Sequence, residues 1–132
     1  KNPVEIENTR FAHIMDGVAV TKFMIWVKDE IKKREITELE VMDKILSFRE
    51  EWSDLIYPSF GTIAGYGPNG ASMHYSATAD NYAICKAKDL LLVDSGGQYL
   101  EGTTDITRTI ALNNITDEMK YHFTLVLKVH IH

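Results

Sequence analysis

The chain changes its hydrophobic period near residue 59, and that switch limits the folds open to it. Before the switch, Phe11, Met15, Val18, Phe23, Trp26, Val27 and Ile31 recur at near-helical spacing in a run from about Val4 to Lys33, just after Pro3. A second run, with Met42, Ile45, Leu46 and Trp52, follows Thr37-Glu38-Leu39-Glu40, whose Thr and Glu stand at capping-box spacing. The two runs predict a helical hairpin. Gly17 either weakens the first helix or lets another backbone come close. After the switch the residues from Ser59 to Gly70 include Gly61, Gly65, Gly67 and Gly70, with a turn at Pro68-Asn69-Gly70. Short strands are predicted for Phe60 to Ala64, Ala71 to Tyr75, Leu90 to Ser95 and Asp105 to Leu112. A third helix is expected after Thr116, with Asp117 and Glu118 well placed in its first turn. Its apolar residues Phe123, Val126, Leu127 and Ile131 run to the last position without a stop signal. Helices, then short strands, then a helix predict an α+β fold with a curved, mostly antiparallel sheet.

Composition narrows the function classes. The 132 residues suffice for one domain with a core, at 45% hydrophobic and 25% charged. A formal net charge of −5 argues against nucleic acid or an anionic membrane as a partner. No run approaches the about 18 apolar residues of a membrane span. The single cysteine, Cys85, excludes a disulfide framework and a multi-thiolate zinc site, and between Ile84 and Lys86 it reads as a buried, inert thiol. A reducing, cytoplasmic setting is the default. The start, Lys-Asn-Pro-Val-Glu-Ile, lacks an initiating methionine and a signal-peptide core, so a segment of something longer is expected.

The chemistry points to two aspartates. Asp94 ends the apolar run Leu90-Leu91-Leu92-Val93, which reads as a buried strand, and Asp105 begins the next β-prone segment. A hairpin between them would set the two carboxylates side by side. Adjacent carboxylates repel and resist desolvation unless a proton or cation lies between them. Oxygen ligands of this kind suit a hard divalent ion such as manganese, magnesium or calcium. His74, after the glycine-rich turn, is a candidate for the same pocket. Two structural readings compete: Asp94 capping a turn at Ser95-Gly96-Gly97, and Asp105 pairing with Arg108. An EF-hand loop fails, because Tyr99 stands where glycine is required. Gly65-Tyr66-Gly67-Pro68-Asn69-Gly70 contains a proline and no helix follows it, so a dinucleotide fingerprint is excluded. His13 reads as a structural or surface residue on the first helix. His122, His130 and His132 lie on the last helix without an evident carboxylate partner, and His130 and His132 point to different faces.

The run Asp94-Ser-Gly-Gly-Gln-Tyr-Leu-Glu-Gly-Thr-Thr-Asp105-Ile-Thr-Arg-Thr109 closely resembles the first metal-binding segment of Xaa-Pro aminopeptidases (aminopeptidase P). These are pita-bread metallopeptidases, with prolidase, methionine aminopeptidase and creatinase. Asn2-Pro3-Val4-Glu5-Ile6, Ala12-His13-Ile14 with Asp16-Gly17, Phe60 through Tyr75, and Phe123-Thr124-Leu125-Val126-Leu127-Lys128 extend the resemblance over nearly the whole chain. Gly-Thr-Thr before Asp105 looks more like aminopeptidase P than prolidase.

The resemblance implies half of a pita-bread fold, with residues 1–132 as the N-terminal half of the catalytic domain. It implies that Asp94 chelates one metal and Asp105 bridges two, usually manganese. It implies that His74 contacts substrate near the scissile bond and helps stabilise the tetrahedral intermediate, and that Thr107 lies beside the metal site. The activity implied is two-metal hydrolysis that removes the first residue from peptides with proline second. The family's other ligands, one histidine and two glutamates, belong to a second half absent from this sequence. Near the terminus, Lys128-Val129-His130-Ile131-His132 departs from the family, which usually has glycine before the histidine. A non-catalytic segment that self-associates or dimerises through its uncovered surface is therefore the alternative expectation. Prolidase or creatinase chemistry on the same scaffold is a third.

Overall fold

The computed structural model describes residues 1–132. Helix α1 spans Pro3–Glu30, and α2 spans Glu38–Glu50 after the two-residue strand β1, Ile36–Thr37. Both begin at a complete capping box: Asn2 with Glu5, and Thr37 with Glu40. In each the cap side chain accepts from the N3 backbone N–H while the N3 glutamate accepts from the cap N–H, so two orphan donors are satisfied at each helix start. Strands β2 (Leu55–Pro58) and β3 (Ile63–Tyr66) follow, then a 3₁₀ turn at Gly67–Ala71, β4 (Ile84–Cys85), β5 (Leu90–Ser95), β6 (Gly97–Tyr99), β7 (Ile106–Ala111) and helix α3 (Asp117–Ile131). All strand pairings are antiparallel, and the principal sheet has the order β3-β5-β7. The fold is α+β, as the switch in period predicts.

Alternation divides the principal sheet into two faces. Leu91, Val93 and Ile110 turn inward and join Val20, Phe23 and Val27 of α1 and Val41 and Ile45 of α2 in one buried cluster. Cys85 belongs to it; burial pushes its thiol up to about 12, so it is the inert thiol expected. The opposite face carries Leu92, Asp94, Thr107 and Thr109, by the pairings Asp94 with Thr107 and Leu92 with Thr109. Helices α1 and α2 thus cover one side of the sheet, and the side with Asp94 is the one that α3 faces across a cleft at Leu90 and Thr109.

Several expectations shift. The buried stripe of α1 is Ala12, Asp16, Ala19, Val20, Phe23 and Val27. Phe11 and Val18 are exposed, because small residues face the closely packed neighbours while Phe11 lies at the margin, edge-on to Trp52 at 6.3 Å. Nothing lies within 4 Å of where a Gly17 side chain would project, so no backbone approaches there. The strand expected at Phe60 to Ala64 forms at Ile63–Tyr66. The one expected at Ala71 to Tyr75 does not form: the chain makes the 3₁₀ turn and then irregular backbone. Gly65 explains why. A side chain there would meet the Gly70 backbone at 2.8 Å, so the turn folds back onto β3 instead of extending away. Strands β2 and β6, which pair with each other, are not anticipated by the periodicity.

Candidate metal centre

Asp94 lies on the central strand β5, between Ile63 of β3 and Thr107 of β7. Its carboxylate is half-buried, and its Oδ1 accepts a hydrogen bond from the Thr107 hydroxyl at 2.8 Å. That bond fixes one carboxylate oxygen and leaves the other free. Asp94 does not cap the Ser95-Gly96-Gly97 turn. Asp105 immediately precedes β7, two residues before Thr107.

The connection between the aspartates is more than a hairpin turn. After Ser95 the chain pairs β6 with β2, and it closes through Thr104. The Thr104 N–H donates to the Gly97 carbonyl, and the Gly97 N–H donates to Thr104 Oγ1, both at 2.9 Å. Ser59 adds two bonds, its hydroxyl to the Thr104 carbonyl at 2.8 Å and its N–H to the Gly96 carbonyl at 3.1 Å. A side chain at Gly96 would collide with the Thr104 carbonyl and the Ser59 hydroxyl, so the close approach that closes the loop requires glycine. Thr104 is fully buried, and the residue after it is Asp105. The loop therefore anchors the backbone that presents the second carboxylate.

Asp105 itself is exposed. The competing ion pair with Arg108 is not formed: Arg108 Nη1 donates to the Thr107 carbonyl at 2.7 Å, and none of the ion pairs of the chain includes Asp105. Two carboxylates, one on the central strand and one at the start of its neighbour, each with oxygen lone pairs to spare, are donors suited to hard divalent ions. No third histidine, cysteine, aspartate or glutamate gathers with them. The chain's residues fit such ions as part of a ligand set.

His74 lies on the exposed segment after the 3₁₀ turn. That turn packs against β3 and β5, and a side chain at Gly70 would meet Leu92 Cβ at 3.5 Å. The turn leading to His74 thus rests on the sheet face that carries Asp94. His13 Nδ1 donates to the Thr9 carbonyl of its own helix at 2.8 Å. His122 lies 3.8 Å from Glu118 on the exposed α3, so it does have a carboxylate neighbour, one turn back along the helix. His130 and His132 are exposed, and His130, with His122, lines the cleft between α3 and the sheet at Leu90 and Thr109.

Two polar clusters escape the sequence reading. Glu38 is fully buried and accepts hydrogen bonds from around the His74 segment. Asp16, Arg49 and Tyr99 form a buried triad that joins α1, the end of α2 and β6: Asp16 Oδ1 accepts from Arg49 Nε at 2.5 Å and from the Tyr99 hydroxyl at 2.6 Å, and Oδ2 accepts from Arg49 Nη2 at 3.1 Å. Burial raises the Asp16 carboxyl, but the Arg49 and Tyr99 hydrogen bonds and the Arg49 charge outweigh it and hold the group below the usual carboxylate range. The only signal for Glu38 was its position just inside a capping box.

The family model for metallopeptidase family M24 matches residues 7–132. The chain is 42% identical over 130 residues to the probable Xaa-Pro aminopeptidase P of Paracoccidioides brasiliensis, covering 97% of this chain and 21% of that protein. It is 43% identical over 132 residues to the corresponding protein of Laccaria bicolor, covering 99% of the chain and 21% of the relative. Among solved structures it superposes on the X-prolyl aminopeptidase of Caenorhabditis elegans, a cytosolic enzyme with a di-nuclear active site, with a TM-score of 0.94 at 36% identity, over 99% of this chain and 22% of that one. Escherichia coli aminopeptidase P gives 0.79 at 30% identity, over 97% of this chain and 27% of that one. The chain spans about a fifth of the length of the curated relatives it matches.

Proposed function

Because the chain belongs to metallopeptidase family M24, we propose that it is the N-terminal half of the catalytic domain of a cytoplasmic Xaa-Pro aminopeptidase, with Asp94 and Asp105 as ligands of a dinuclear centre. The observation that carries this reading is Asp94 on the central strand with one carboxylate oxygen free and Asp105 exposed just before β7, neither with a cationic partner, in a chain so similar to aminopeptidases P. Two divalent ions, manganese by preference, would supply Lewis-acid polarisation of the scissile carbonyl and an acidified water. The chain's own residues would do the rest. Thr107 orients Asp94 through its hydroxyl. Thr104 and the loop closed around Gly96 hold the backbone at Asp105. His74 would hydrogen-bond the substrate beside the bond that breaks. The substrate is a peptide with proline in second position.

The test is release of the first residue from matched peptides with proline or alanine in second position, by the full-length protein with manganese or with a chelator. Release confined to the proline peptide and lost on chelation is expected. No manganese-dependent cleavage of the proline peptide would refute the reading. The 132-residue chain alone is expected to release nothing, since nowhere in it do three or more potential metal ligands gather.

The isolated chain is also expected to self-associate. Helix α3 buries none of its residues and exposes Phe123, Val126, Leu127 and Ile131. A cleft of about 740 Å³ separates it from the sheet at Leu90 and Thr109. β3 and β7 are both open edges of the sheet. Sedimentation velocity over a range of concentrations would show growing oligomers; a monomer at every concentration would count against it.

A further inference from the structure

Glu38, the first residue of α2, is a buried carboxylate with no lysine or arginine among its hydrogen-bond partners. Burying such a charge is tolerable only when its lone pairs are filled. Here they are. Oε1 accepts from the Tyr66 N–H at 2.7 Å and from Asn69 Nδ2 at 3.0 Å. Oε2 accepts from the Tyr75 hydroxyl and from the Ala83 N–H, both at 2.7 Å. The Glu38 N–H adds a bond to the Ala83 carbonyl at 3.1 Å. Burial, and then the bond to Glu38, push the Tyr75 hydroxyl up to about 12, so it remains a donor across the physiological range.

These partners are spread along one segment: the end of β3, the 3₁₀ turn, the residue after His74, and the approach to β4. Between that turn and β4 the segment forms one isolated bridge, Thr78 with Asn81, and no ladder. A sheet does not hold it. One carboxylate does, from both ends and from the middle.

We propose that Glu38 is a positioning residue that holds the His74-bearing loop beside the Asp94 face through Tyr66, Asn69, Tyr75 and Ala83. The proposal rests on the reading of His74 as a substrate-contacting residue of a peptidase. Glu38 touches no substrate; it acts through the loop. Glu38→Gln keeps the shape of the side chain but offers one acceptor oxygen to a set of donors, so at least one backbone N–H is left facing an amide N–H.

The experiment is a double-mutant cycle in the full-length protein, combining Glu38→Gln with His74→Ala and reading kcat and KM on a proline peptide. In the background that keeps His74, Glu38→Gln is expected to lower kcat/KM about 10–100-fold, mainly through kcat. In the His74→Ala background the same change should cost less than about threefold, because the residue to be positioned is gone. Hydrogen exchange should accelerate across residues 66–83 while the β5–β7 amides stay protected. Equal losses in both backgrounds, or unchanged exchange across 66–83, would overturn the proposal. If Glu38→Gln does not fold, Tyr75→Phe removes one donor and leaves the carboxylate otherwise satisfied; it should give a smaller loss with the same dependence on His74, and an equal loss in both backgrounds would again overturn it. An unmodified protein inactive on proline peptides would refute the peptidase reading, and the exchange of 66–83 would then decide alone whether Glu38 holds the loop.

Discussion

Asp105→Ala in the full-length protein is expected to reduce cleavage of proline peptides on the order of a thousandfold while leaving the melting temperature almost unchanged. The two halves of this expectation have separate causes. Metal ions in hydrolases supply several kcal/mol of transition-state stabilisation, and each 1.36 kcal/mol is about tenfold in rate. Under the proposed function Asp105 would help hold both ions, so its loss would disturb the entire centre. Stability is a different matter. Asp105 is exposed and has no ion pair to lose, since Arg108 is engaged by the Thr107 carbonyl. Surface substitutions of this kind stay within roughly 0.5 kcal/mol. Isothermal titration with manganese, steady-state kinetics and thermal melts on the same preparation measure all three quantities. A variant that keeps metal binding and activity would sink the ligand assignment. One that loses activity only because it melts early would favour a structural role for Asp105.

That separation of activity from stability follows from what was legible in the chain. The apolar spacing and capping signals located all three helices, and the capping box at Thr37 and Glu40 formed in full. Leu90 to Ser95 was legible as a strand because an apolar run that ends in a carboxylate has few alternatives. These are local signals, within one or two turns of backbone. What escaped is non-local. Leu55–Pro58 pairs with Gly97–Tyr99 across some forty residues, in strands too short and too rich in glycine or proline to show a period. The expected strand through His74 failed because the turn before it folds back onto β3 at Gly65, and the Tyr75 hydroxyl after it is held by Glu38 of another element, contacts that periodicity does not encode. The site divides in the same way. Asp94 and Asp105 stand out in the sequence by resemblance and by their place at strand ends. Thr104, Ser59 and Gly96, which close the loop that carries Asp105, emerge only in three dimensions.

Asp16 shows the largest effect that sequence reading would overlook. It lies on a helix at a position that solvent could as easily have taken, yet it is fully buried with Arg49 and Tyr99. Asp16→Ala leaves the Arg49 guanidinium buried without a counter-charge and the Tyr99 hydroxyl without its acceptor. Breaking a buried pair from one side costs about 3–5 kcal/mol. At roughly 4 °C per kcal/mol for a domain of this size, the melting temperature should fall by about 10–20 °C. Replacing both partners with apolar residues, Asp16→Leu with Arg49→Met, should recover much of the loss, because the desolvation penalty of the charges disappears with them. The pH dependence has a definite sign. The folded carboxyl is held below its ordinary value, so the stabilisation is complete above the unfolded carboxylate value of about 3.9 and is lost as pH falls below it through the folded one. The gap between the parent and Asp16→Ala should therefore be constant near neutrality and narrow only under acid. Melts of the two proteins from pH 7 down to about 3 measure it. A gap that narrows on raising the pH instead, or a single variant that loses less than about 1 kcal/mol, would show that the triad does not hold α1, α2 and β6 together as the hydrogen bonds imply.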